Sequence, residues 1–117
     1  MEISEVLSNL GLNQKQASVY LALLELGTSS VQLIAKKADL KRPTTYLVLD
    51  ELEQKGLVNT VPQKKALFTA ESPEKLINDL QKKQELLTRF LPDLLALHNV
   101  KKEKPQVQLF QGIEGVR

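Results

Sequence analysis

The chain has 117 residues, enough for one domain or a small domain with a helical extension, and too few for a multi-domain catalytic architecture. Hydrophobic residues make up 42% and charged residues 26%, with only five Gly and five Pro, which is the composition of a folded chain rather than a disordered one. Sixteen Lys+Arg against fourteen Asp+Glu leave a net charge of +2, so nucleic-acid affinity would have to come from locally placed charge, and the absence of cysteine excludes a disulfide framework, a thiolate metal site and a cysteine nucleophile.

Ile3, Val6, Leu7 and Leu10 fall at helical spacing before Gly11, which predicts a short first helix. Asn13, with Gln16 three residues on, has the form of a capping box for a helix from Gln14 to Leu26, with Ala17, Tyr20, Leu21 and Leu24 as its apolar stripe and Gly27 as its stop. Ser29 followed by Gln32 predicts a third start, and Val31, Ile34, Ala35 and Ala38 repeat the i, i+3, i+4, i+7 pattern until Asp39 and Leu40 break it. Pro43 suits the first turn of a fourth helix that runs to Lys55 and stops at Gly56.

After Gly56 the period changes. Leu57-Val58-Asn59-Thr60-Val61 and Ala66-Leu67-Phe68-Thr69-Ala70 are β-branched or aromatic stretches on either side of Pro62-Gln63-Lys64-Lys65, which predicts a hairpin with a basic tip. Ser72 as cap and Pro73 at the first helical position open a long helix that ends near His98. Within it Ile77, Leu80, Gln84, Leu87, Leu91, Leu94 and His98 alternate spacings of three and four, a heptad seam that suits a dimer coiled coil or a helix folded back on its own domain, the dimer being favoured because it gains a second DNA half-site; the polar Gln84 is at an a-type position. Pro92 removes one helical hydrogen bond and predicts a kink or a break. The tail reads as a charged linker, Val100 to Pro105, then a strand, Val107-Gln108-Leu109-Phe110.

Two short helices joined by a tight turn and followed by a hairpin are the order of a winged helix-turn-helix. The expected fold is therefore mainly α with a small β-hairpin: a winged helix-turn-helix over residues 1–71, a coiled-coil dimerisation helix over 72–99, and a linker with the opening of a further domain over 100–117. Thr45, Val48, Leu49 and Leu52 would pack inward, leaving Arg42, Thr44, Tyr46 and Leu47 directed at a major groove. The helix N-terminus adds a positive dipole end and free N–H groups, and Lys41 and Arg42 bring two full charges to the same place. From Ser29 to Ala70 there are seven basic residues against four acidic ones, an excess of three where DNA would lie.

The candidate DNA-binding set is Lys41, Arg42, Pro43, Thr44, Thr45, Tyr46, Leu47, Lys64 and Lys65; Lys64 and Lys65 suit the phosphate backbone, Arg42 a guanine, and Leu47 a thymine methyl. The candidate dimerisation set is Ile77, Leu80, Gln84, Leu87, Leu91 and Leu94. A winged helix also serves in places as a protein-interaction module whose basic residues are simply solvated, and salt separates the two readings. A DNA-binding dimer using Lys41, Arg42, Lys64 and Lys65 from both subunits would neutralise about six to eight phosphates and show a log–log salt slope near −5 to −7.

The ordered features resemble those of the TrmB-like transcriptional regulators of archaea and bacteria. They are Gly11-Leu12, the run from Val19 to Leu24 closing at Gly27, Arg42 followed by Thr45-Tyr46, then Leu49, Leu52 and Gly56-Leu57-Val58. Ser72-Pro73-Glu74, Leu91-Pro92 in the long helix and the Gly112-Ile113-Glu114-Gly115-Val116 segment follow in the same order. The resemblance implies a DNA-binding regulator, and the last segment is similar to the opening of the family's effector-binding domain, so no small-molecule effector site is expected in this chain. Neither a Gly-rich phosphate loop, nor a nucleophile beside a histidine, nor a metal-ligand spacing occurs, so no enzyme activity, cofactor or metal is expected; His98 is the only histidine. No apolar run approaches a membrane span, and Met1-Glu2-Ile3-Ser4 carries neither a basic region nor an apolar signal core; the expectation is a cytoplasmic protein with no membrane partner.

Overall fold

A computed structural model describes residues 1–62 and 67–103. Among the described residues, five helices, α1 (Ile3–Asn9), α2 (Gln14–Leu26), α3 (Val31–Ala38), α4 (Arg42–Gln54) and α5 (Glu74–Glu103), are combined with three short strands, β1 (Ser29–Ser30), β2 (Val58–Thr60) and β3 (Leu67–Ala70). The chain divides into two units after Lys75, inside the first turn of α5. Among the described residues no helix is long and apolar enough to cross a membrane.

In the first unit α2, α3 and α4 pack on one another. The predicted capping box at the start of α2 is present: the Asn13 side chain accepts from the Gln16 N–H at 2.8 Å, and the Gln16 side chain accepts from the Asn13 N–H at 3.0 Å. The apolar stripe of α2 differs from the one expected. Gln16, Val19, Tyr20 and Leu23 are buried with Ala17 and Ala22, whereas Leu21 is half-buried and Leu24 is exposed. The run from Val19 to Leu24 is apolar all round and admits two helical registers. The one adopted lets Tyr20 donate its hydroxyl hydrogen to the Glu71 carbonyl at 3.1 Å and lets the Gln16 amide donate to Glu51 Oε1 at 2.9 Å, so the polar atoms of the buried stripe are satisfied.

The start of α3 also departs from expectation. Its cap is Ser30, whose hydroxyl accepts from the Leu33 N–H, and Ser29 instead pairs with Phe68 as part of β1. The expected hairpin is thus a three-stranded antiparallel sheet in the order β1-β3-β2, with Ser30 opposite Leu67 and Asn59 opposite Thr69. At the other end of α3, Asp39 takes a left-handed conformation with φ 60°, and the Leu40 N–H returns to the Ala35 carbonyl at 2.9 Å. Gly56 closes α4 in the same way, at φ 78°, with the Leu57 N–H donating to the Leu52 carbonyl at 2.9 Å.

The second unit is one helical element in its described part. α5 is assigned as a single helix of 30 residues, roughly 45 Å at 1.5 Å per residue, and it contains Pro92 without a break. It also continues to Glu103, past the end expected near His98 and through the start of the expected linker at Val100. Val100 to Glu103 are residues a helix accepts, and the restriction that Pro105 imposes falls only on the residue before it. The predicted strand Val107 to Phe110, the Gly112 to Val116 segment and the rest of the expected 100–117 segment beyond Glu103 lie outside the described residues.

Burial, with a contribution from the nearby Glu71 carboxylate, raises the Tyr20 hydroxyl pKa above 10. A folded-state value above the unfolded one means that the associated stability is intact below pH 10 and is lost as pH rises through the folded value. Tyr20→Phe removes both the bond to Glu71 and this titration. The expected result in urea unfolding is a loss of about 1 kcal/mol at neutral pH and a shallower decline in stability above pH 10 than in the parent protein.

Candidate nucleic-acid interface

The candidate interface is built on α4, and the rotation of that helix is set by its buried side. Thr45, Val48, Leu49 and Leu52 are all buried, with Thr45 and Leu52 fully so. This leaves Lys41, Arg42, Pro43, Tyr46 and Leu47 exposed at the N-terminal half, with Leu47 at 64% and Tyr46 at 45%; Thr44 is half-buried. Three residues, Asp39 to Lys41, separate α3 from α4, the short connection of a helix-turn-helix. Lys41 is the N-cap, Arg42 the first helical residue and Pro43 the second, so the two cations stand where the orphan N–H groups and the positive dipole end already favour an anion.

Thr45 departs from its place in the candidate set. It has no exposed surface, and its hydroxyl donates to the Lys41 carbonyl at 2.9 Å, alongside the Thr45 N–H at the same distance. A side chain held in this way cannot face a groove; it secures the first turn of α4 and so holds Lys41 and Arg42 in position. Lys64 and Lys65 lie outside the described residues, as does most of the turn they occupy. The base of that turn is described: β2 and β3 pair in register from Val58 opposite Ala70 to Thr60 opposite Phe68, and the Val61 N–H donates to the Leu67 carbonyl at 2.9 Å.

Of the basic residues counted along the sequence, Lys37 forms an ion pair with Glu25 at 2.9 Å, so its charge is offset by a residue of α2. The remaining charge on α4 is distributed unevenly. Its only cation, Arg42, is at the start, while Asp50, Glu51 and Glu53 crowd the second half. Glu51 accepts from the Gln16 amide, and Glu53 accepts from the Thr60 hydroxyl at 2.6 Å. Asp50 and Gln54 are exposed and share the outward stripe with Pro43 and Leu47. Neither stood in the candidate set, although their offsets of three and seven from Leu47 place them on its face.

The candidate dimerisation residues are exposed throughout. Ile77, Leu80, Leu87, Leu91 and Leu94 are between 43% and 59% exposed, and Gln84 and His98 are exposed as well. Among the described residues no group of three or more His, Cys, Asp or Glu stands together as a metal site.

Comparison with known proteins places this arrangement. The family model described as the sugar-specific transcriptional regulator TrmB matches residues 7–74. A solved structure of TrmBL2, described as an archaeal chromatin protein with a novel mode of DNA binding, is similar at 30% identity and a TM-score of 0.62, over 90% of this chain and 44% of its own. NadR in complex with 4-hydroxyphenylacetate is similar at 26% identity and a TM-score of 0.51, over 83% of each chain. A MarR family transcriptional regulator from Silicibacter pomeroyi shares the fold at 19% identity and a TM-score of 0.54, over 80% of this chain and 63% of its own. The chain therefore spans less than half the length of the archaeal relative.

Thr45→Val keeps the shape of the buried side chain and deletes its bond to Lys41. The expected cost is about 1 kcal/mol in urea unfolding; Thr45→Ser, which retains the hydroxyl but deletes the buried methyl, is expected to cost about as much, so that both groups of the side chain are seen to contribute.

Proposed function

The chain belongs to the TrmB family, and we propose that it is a dimeric transcription regulator that binds double-stranded DNA in a sequence-specific way. In this reading α4 enters the major groove, and residues 62–65 rest on the backbone. Lys41 and Arg42 neutralise phosphate or meet a guanine at the mouth of the groove, Thr44 and Tyr46 supply hydrogen bonds, and Leu47 meets a thymine methyl. α5 is the dimer element, and a two-fold dimer presents two such helices to two half-sites. Action on DNA within the cell makes the cytoplasm its compartment. The observation that carries the reading is the partition of α4: one side is fully used by the core, and the side left over bears two cations at a helix N-terminus next to an exposed tyrosine and leucine.

The seam of α5 supports the dimer. Five large apolar side chains at heptad spacing, each about half exposed, are covered when a second copy of the helix lies alongside. The polar Gln84 on the same seam favours one register and strand number.

The test is a titration against mixed-sequence duplex at several salt concentrations, with the mass in solution measured alongside. A dimer with a log–log slope near −5 to −7 supports the regulator; no binding at low salt overturns it in favour of a protein-interaction module. Lys41→Ala combined with Arg42→Ala removes four charges from a dimer and is expected to flatten the slope by roughly 3 to 4 without changing the mass. Leu87→Asp is expected to do the reverse, halving the mass at a fixed concentration while the first unit stays folded by circular dichroism. An unchanged mass overturns the seam.

A further inference from the structure

The acidic half of α4 is costly to the helix itself. Asp50, Glu51 and Glu53 stand toward the negative end of the dipole, and the last turn holds no basic residue to offset them. Two of the three have a structural use, since Glu51 ties α4 to Gln16 of α2 and Glu53 ties it to Thr60 of β2. Asp50 is different. It is exposed, and it accepts from the Gln54 amide at 3.4 Å, a bond within the same exposed face. The buried set of α4 fixes its rotation, so Leu47, Asp50 and Gln54 form one stripe opposite the core.

We propose that Asp50 is a specificity-determining residue that reads cytosine in the major groove, with Gln54 as the residue that orients its carboxylate. This rests on the reading of α4 as the groove-entering helix. A carboxylate is acceptor-only, and the major-groove edge of cytosine presents an amino donor. Guanine presents two acceptors there and thymine one, so both repel the group, and adenine sets an acceptor beside its amino donor. Asp50 lies ~4.5 Å along the axis from Leu47 at 1.5 Å per residue and on the same outward stripe, so the two side chains are presented to one face of a groove. The same charge repels phosphate and lowers binding to duplexes that lack the cytosine, which sharpens the choice by penalising the wrong partner.

The experiment is selection of binding sites from a random duplex pool by the full chain, compared with Asp50→Asn, Asp50→Glu and Gln54→Ala. The expected parent motif has a cytosine in each half-site; Asp50→Asn reduces the preference there by about tenfold and binds mixed duplex more tightly, while Asp50→Glu keeps the cytosine. Gln54→Ala is expected to retain the cytosine with weaker discrimination. Both positions of change are exposed, and melting temperatures close to the parent's show that the fold is intact. A motif and discrimination identical between parent and Asp50→Asn overturn this proposal alone, whereas a parent chain that binds no duplex overturns both it and the regulator reading.

Discussion

Rotation of α4 about its own axis is the constraint on which the rest of the molecule depends. Thr45, Val48, Leu49 and Leu52 occupy one side of that helix and meet the core that α2 and α3 provide, so no alternative setting buries the same surface. Three polar links reinforce the setting from different directions: Thr45 to Lys41 along the helix, Gln16 to Glu51 from α2, and Thr60 to Glu53 from the sheet. The first lies in the opening turn of α4 and the other two in its closing turn. A rotation by one residue, about 100°, would carry Leu47 into the core and a buried partner out of it. The outward chemistry of α4 is therefore a by-product of packing, and the core has functional consequences without touching any ligand.

The electrostatics follow from the same arrangement. The total charge of the chain is nearly balanced, yet the sign changes from the N-cap Lys41 and Arg42 at the start of α4 to carboxylates beyond its midpoint. A helix with that gradient approaches a polyanion N-terminus first, which favours a single orientation of approach.

Much of the first unit was legible in the sequence because its signals are local. The Asn13 and Gln16 pair, Pro43 in the first turn, Asp39 as a breaker and Gly56 as a stop act within a few residues and were found where they were read. The inward set of α4 was equally plain from its spacing. Where the reading missed, the deciding contact was remote. Ser29 and Ser30 have little intrinsic tendency to form a strand, and only the edge of β3, almost forty residues later, makes them one. The register of α2 was decided by Glu71 and Glu51, neither of them near it in the chain. Thr45 is polar and sits among exposed neighbours, but a hydroxyl that bonds its own helix four residues back is compatible with full burial. In α5 the proline predicts a kink or a break, yet thirty residues form one helix around it.

The sheet has a consequence for how the protein behaves at high concentration. β3 is its central strand, with β1 against Leu67 and Phe68 on one side and β2 against Phe68 to Ala70 on the other. The two edges belong to strands of two and three residues, too short to serve as templates for a neighbouring chain. A hairpin alone would have left one side of β3 open. By lending two serines from the approach to α3, the chain covers that side at Leu67 and Phe68 and shortens the edge open to a neighbouring chain to the last two residues of the strand.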